Sequence, residues 1–160
     1  MDSFAFERDF SDSLRCIPMS VRFKLDRCGI KLSLRQWSRL AFAERKWLST
    51  GPCGEPSEIS AMRVTLAEMI ERIPGEVVKL LEEAPDGVWA SRSVPPEIAH
   101  QCFALGIAPP TRAQWSGLTE LQRFALVKLT REGHENANFL PAMTEFGLVR
   151  FDQVSERIQN

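Results

Sequence analysis

Apolar side chains recur along this chain at intervals of three and four residues, the period of a helix with one buried stripe. At about 100° per residue, Val21, Leu25 and Cys28 fall on one line, as do Ile98, Cys102 and Leu105. Pro18 and Pro95 suit the first turn of a helix, and Gly29 and Gly106 suit a left-handed residue just past its end. The segments "SLRQ" and "TRAQ" each place a hydroxyl (Ser33, Thr111) three residues before a glutamine (Gln36, Gln114), the spacing of a capping box. "TELQ" repeats it at Thr119 and Gln122 and predicts a helix through Phe124, Leu126, Val127 and Leu129, matched by one near Phe42 to Leu48. Ile59, Met62, Leu66, Met69, Ile70 and Ile73 predict a longer helix that Pro74-Gly75 stops, and "EVVKLLEEA" reads as a shorter one ending at the turn Pro85-Asp86-Gly87. Beyond Gly133 the sequence predicts a polar turn, a short helix from about Pro141 to Gly147, and an amphipathic turn or two after Val149. Neither tryptophan-bearing stretch alternates with period two between hairpin turns, so the expected class is all-α.

The two stretches are alike in more than period. Pro18, Gly29 and Ile30 match Pro95, Gly106 and Ile107 at an offset of 77, and after one inserted residue Gln36-Trp37-Ser38 matches Gln114-Trp115-Ser116. Leu40, Arg45 and Leu48 then match Leu118, Arg123 and Leu126. A shared tryptophan motif in register implies an internal duplication. The expected architecture is one compact domain, residues 1–160, of short helices, with two related helical units at about 17–48 and 94–126 and a pseudo-twofold relation. A helical linker, 57–84, joins them. Trp37 and Trp115 read as packing anchors, with Arg45 and Arg123 stacking or capping beside them.

Composition leaves this picture in place. A chain of 160 residues, 44% hydrophobic and 26% charged, is long enough to fold around its own core. Its apolar runs are too short for a spanning helix, and "MDSFAFERDF" has acids where a signal peptide has a basic start, so a cytoplasmic location is expected. Cys16, Cys28, Cys53 and Cys102 form no CxxC pair and read as free thiols of a reducing compartment. Cys28 and Cys102 belong to buried stripes; Cys16 and Cys53 fall in expected loops and are the better redox candidates.

Charge changes the picture more. The net charge of -1 conceals a segment, Arg15 to Lys46, with nine cations and two acids, a local +7 against -8 elsewhere. On the far side of the Val21 stripe, Phe23, Lys24 and Arg27 project together, followed by Lys31, Arg35 and Arg39, with Arg15 preceding them. The second copy has His100, Gln101 and Ala104 where the first has Phe23, Lys24 and Arg27. These seven residues are the candidate surface for an acidic partner. The competing reading covers Phe23 with the N-terminal "FAFERDF" and leaves the cations solvated.

Catalytic chemistry is not indicated. With two histidines, His100 and His134, no metal-ligand cluster forms in the sequence, and "HENAN" lacks the second histidine of a zinc-peptidase helix. There is no GxGxxG and no GxxxxGK[ST] to cradle phosphate. The expectation is no enzyme, no cofactor and no metal, and nucleic acid is disfavoured because the rest of the chain is acidic and carries no groove-reading module.

"FERDFSDSLRCIPMSVRFKLDRCGIKLSLRQWSRL" closely resembles the cyanobacteria-centred family of nitrate reductase associated proteins. The similarity continues through "AERKWLSTGPC" and resumes near "HENANFLPAMTEFGL". The resemblance implies gene neighbourhood with nitrate reductase and molybdopterin synthesis rather than an activity, and it supplies no catalytic residues. Joined to the charge pattern, it leads to an expected accessory protein of nitrate assimilation. Its partner would be a protein, nitrate reductase or the molybdenum-cofactor assembly machinery. The alternative is a sensor that binds a small anion or cofactor fragment in a pocket at the junction of the two units.

Overall fold

The computed structural model describes residues 3–8, 13–82, 87–131 and 137–149. Among them are eight α-helices and one pair of two-residue strands, so the class is all-α. The chain divides into two compact units, Met1–Pro85 and Asp86–Asn160. The expected features at Pro85-Asp86, at the polar turn from His134 and after Val149 lie outside the described residues.

In the first unit a 3₁₀ turn, Ala5–Glu7, precedes α1 (Met19–Cys28), β1 (Ile30–Lys31), α2 (Leu34–Arg39), α3 (Phe42–Thr50), α4 (Pro56–Glu71) and β2 (Lys79–Leu80). The caps explain where the helices stop. Pro18 is the N-cap of α1 and has no side chain to close it, so the Glu7 carboxylate does so from outside, Oε1 accepting from the Met19 amide at 2.7 Å. Glu7 is nearly fully buried, and a carboxylate beside the positive end of a helix dipole is stabilised there. Gly29, at φ 69°, ends the helix in the left-handed region. Ser33 and Gln36 close α2 reciprocally, at 3.1 Å in each direction. Its core gathers Leu14, Val21, Leu25, Ile30, Trp37, Leu48, Met62, Leu66 and Ile70.

One contact fixes the centre of this unit. Trp37 is fully buried and its Nε1 donates to the Leu14 carbonyl at 2.8 Å; Arg45 Nη1 donates to the same oxygen at 2.8 Å. Leu14 is the one non-glycine among the described residues with positive φ, 51°. That conformation costs about 1–3 kcal/mol for an ordinary side chain and is offset by two donors converging on one acceptor.

The segment "EVVKLLEEA" corrects the sequence reading. It is not a helix: Lys79–Leu80 is a strand, paired antiparallel with Ile30–Lys31 in the register Ile30 with Leu80 and Lys31 with Lys79. The helical part of the expected linker 57–84 is α4, which ends at Glu71, and Gly75 at φ 81° turns the chain. The β-branched pair Val77-Val78 suits the extended run into β2, and non-local pairing overrides local helix propensity.

In the second unit a 3₁₀ turn, Val88–Ala90, precedes α5 (Pro96–Leu105), α6 (Arg112–Gly117), α7 (Glu120–Thr130) and α8 (Phe139–Glu145). Helix α7 packs against the 3₁₀ turn, α5 and α8, and Phe124, Ala125, Leu126, Val127 and Leu129 are all buried on it. The grammar of the first unit recurs. Gly106 at φ 57° ends α5, and Thr111 with Gln114 closes α6. Trp115, fully buried, donates from Nε1 to the Ser91 carbonyl at 2.8 Å. Ser91 stands 77 residues after Leu14, the offset already found for the flanking prolines and glycines.

Candidate partner-binding face

The seven predicted residues sort into groups by what they touch. Lys24 and Arg27, one turn apart on α1, reach the junction between α3 and α4. Lys24 Nζ donates to the carbonyls of Leu48 and Ser49 at 2.9 and 2.8 Å, at the negative end of α3 where a cation is stabilised. Arg27 Nη1 donates to the Cys53 carbonyl at 2.9 Å, and its guanidinium lies over the Phe23 ring at 4.2 Å. From α4, Arg63 Nε donates to the Cys28 carbonyl at 2.8 Å. Phe23, Lys24 and Arg27 are half-buried rather than projecting freely, as the charge pattern alone suggested. The first duty of Lys24 and Arg27 is to bolt α1 to the end of α3 and the loop that follows it.

Arg35 and Arg39, one turn apart on α2, share a different partner. Both pair with Glu76, at 3.5 and 3.6 Å, and Gln36 Nε2 donates to the same carboxylate at 3.1 Å and to the Val77 carbonyl at 3.3 Å. Arg39 also donates to the Pro74 carbonyl at 3.4 Å. The segment from Pro74 to Leu80 is thus stitched to α2 at its start and to β1 at its end. The Arg35 side chain remains 78% exposed, so its pair with Glu76 contributes little to stability. Arg15 and Lys31 are exposed.

This second group forms a face that sequence reasoning found only in part. Three aliphatic side chains stand on the same elements and are mostly open to solvent: Leu34 at 56%, Val77 at 63% and Leu80 at 69%. Lys31 lies directly across the strand pair from Lys79, which the sequence reading had placed on a helix. Like charges directly opposite on neighbouring strands destabilise the pairing. Lys31, Lys79, Arg35 and Arg39, with exposed Leu34 and Val77 on α2 and the run into β2, offer a protein interface both charge and apolar area, while Leu80, next to Lys79 on its strand, points to the other side of the pair. The missed signal was the valine pair after Gly75, which favours an extended edge over a helix.

The thiols complete the inventory. Cys16 is exposed, whereas Cys53, expected in an open loop, is buried and lies 4.0 Å from Cys28, Sγ to Sγ. Burial pushes the Cys28 thiol from 9.0 up to about 12, with the neighbouring Cys53 adding to the effect, and burial likewise raises Cys53. Burial alone takes Cys102 to about 11. Among the described residues no three His, Cys, Asp or Glu side chains gather as a metal site, and no helix is long and apolar enough to cross a membrane.

No curated protein and no solved structure matches the chain. The family model described as conserved nitrate reductase-associated protein matches residues 3–146, spanning both tryptophan units and every residue of the face described above. The chain belongs to the family of conserved nitrate reductase-associated proteins.

Proposed function

We propose that this protein is a non-catalytic accessory protein of nitrate assimilation that binds an acidic protein partner through the basic and aliphatic face of its first unit. The family description links it to nitrate reductase, and the partner we favour is nitrate reductase or the machinery that matures it. The observation that carries the reading is the Lys31–Lys79 pair together with two arginines that share Glu76, on the same stretch of α2, β1 and the run into β2 as exposed Leu34 and Val77. Such an arrangement costs the isolated fold something in charge repulsion and exposed apolar area. An acidic, partly apolar surface laid against it recovers both. Steering by the cations speeds encounter, and the aliphatic centre slows release.

Lys24 and Arg27 fix α1 to the α3–α4 junction within the same unit, Phe23 lies under the Arg27 guanidinium, and Arg15 adds to the attractive field. The test is capture of nitrate reductase and its maturation proteins on immobilised protein, at low and at high salt. The reading expects capture at about 0.1 M salt and its loss near 1 M, where the screening length falls to about 3 Å. Absence of any nitrate-assimilation protein at low salt contradicts it.

A further inference from the structure

Two thiols that the proposed interface does not use meet inside the first unit. Cys28 is the last residue of α1, and Cys53 sits in the loop between α3 and α4. Their sulfurs are 4.0 Å apart although the residues are 25 positions apart in sequence. A disulfide needs about 2.05 Å, so one side must advance by about 2 Å. The loop is built for that movement more than the helix is. Gly51 and Gly54 flank Pro52 and Cys53, and Pro52 and Gly54 are exposed on either side of the buried thiol. A Cβ placed on Gly54 would meet nothing nearer than the end of the Glu58 side chain, at 3.5 Å. Gly51 is the fixed end of the loop, buried with its amide donating to the Trp47 carbonyl at 2.7 Å; beyond it the anchors are the Arg27 bond to the Cys53 carbonyl and the Glu58 carboxylate, which accepts from the Gly54 and Glu55 amides at 2.9 Å each. Contacts of this kind open locally at far less cost than global unfolding.

We propose that Cys28 and Cys53 are a dithiol that hydrogen peroxide oxidises to an intrachain disulfide, with Cys53 reacting first and Cys28 resolving. On opening of the loop, the Cys53 sulfur attacks peroxide: an S–O bond forms, the O–O bond breaks, and the departing hydroxide takes up the thiol proton and leaves as water. The Cys28 sulfur then attacks the sulfenic sulfur: the S–S bond forms, the S–O bond breaks, and the second hydroxide leaves with the Cys28 proton as water. The balance is two thiols and one peroxide giving one disulfide and two waters. Cys53 is the entry point because it lies in the surface loop and faces the positive charges of Arg27 and Lys24, which favour its thiolate once water reaches it. Cys28 lies deeper, with its Sγ also 3.8 Å from the Ile59 carbonyl. The inference does not depend on the partner-binding face.

The folded protein is treated with hydrogen peroxide, quenched, unfolded with an alkylating reagent present, and its peptides are mapped by mass spectrometry. The expected result is a Cys28–Cys53 cross-linked peptide that dithiothreitol reverses, with Cys102 still alkylated as a free thiol. In Cys28→Ser, a dimedone adduct should accumulate on Cys53 instead. Oxidation of exposed Cys16 with no Cys28–Cys53 link in the wild-type chain overturns the proposal. So does a link that forms only when denaturant is present during oxidation, or a Cys53 adduct no more abundant in Cys28→Ser than in the wild type.

Discussion

The two tryptophan units share one local grammar and put it to different uses. In each, a left-handed glycine ends a ten-residue helix, a hydroxyl–glutamine box opens a six-residue helix, and a fully buried indole donates to a backbone carbonyl. That carbonyl stands 23 residues before the indole in the first unit and 24 in the second. The first unit adds Lys24 and Arg27, where the second has Gln101 and Ala104, and each added cation is hydrogen-bonded to a carbonyl of the α3–α4 junction. Among the described residues it also has a strand pair and a second donor, Arg45, on the indole's acceptor. What differs is therefore not decoration alone: the cations of the first unit hold its own chain as well as carrying charge outward. The lesson is that a basic segment can be structural on one flank and available on the other.

The largest test of the shared grammar is removal of the indoles. Trp37→Ala and Trp115→Ala should each cost about 3–5 kcal/mol in chemical denaturation, since each opens a cavity in place of a fully buried indole and removes that indole's hydrogen bond to a backbone carbonyl. A large loss for one and a negligible loss for the other would break the equivalence.

Alkaline unfolding comes next. The folded state holds the Cys28 proton up to about 12 while the unfolded chain releases it near 9.0. Unfolded chains thus bind fewer protons in that window, so stability present below pH 9 is lost as pH rises toward 12. Melting temperature measured across that window should fall less steeply in Cys28→Ser. Cys102→Ser should flatten the curve over the narrower range to about 11. Equal slopes in all three proteins would mean that burial of these thiols is not maintained.

Smaller effects separate the units. Lys24→Met should cost about 1.5–3 kcal/mol, because two carbonyls at the end of α3 lose a charged donor, whereas Gln101→Met should stay within about 0.5 kcal/mol. Similar values for the two would deny Lys24 its bolting role. The smallest expected change is in the caps: Ser33→Ala and Thr111→Ala should each lose about 1 kcal/mol, measured as helix content and denaturation midpoint. Disparate losses would show that one box is redundant.

Much of this was written locally in the sequence. Capping boxes, helix-ending glycines and apolar stripes act within a few residues, so α1, α2, α4, α5 and α6 could be read from their own segments. The failure at Lys79–Leu80 has the opposite cause. "EVVKLLEEA" has good helix formers, yet Leu80 pairs with Ile30, 50 residues before it, and no local signal encodes that pairing. The same holds for the candidate face. Lys24 and Arg27 were visible as cations, but their acceptors lie 24 to 26 residues ahead, so their structural duty was not visible. Leu34 was legible only as a residue in a capped turn, and the exposure of Leu80 on an edge strand was hidden with the pairing itself. Glu7, a buried carboxylate capping a helix that begins 12 residues later, left no periodic trace at all.

The central claim is that the face bearing Lys31 and Arg35 recognises an acidic partner and that the second unit does not. Its most direct measurement is the nitrate reductase association rate, at about 0.1 M salt, of three proteins: wild type, the double variant Lys31→Glu/Arg35→Glu, and Arg112→Glu in the second unit. The account predicts that the double variant associates at least about tenfold more slowly, while Arg112→Glu stays within about twofold of wild type. Equal rates for wild type and the double variant, with both proteins folded, would contradict it.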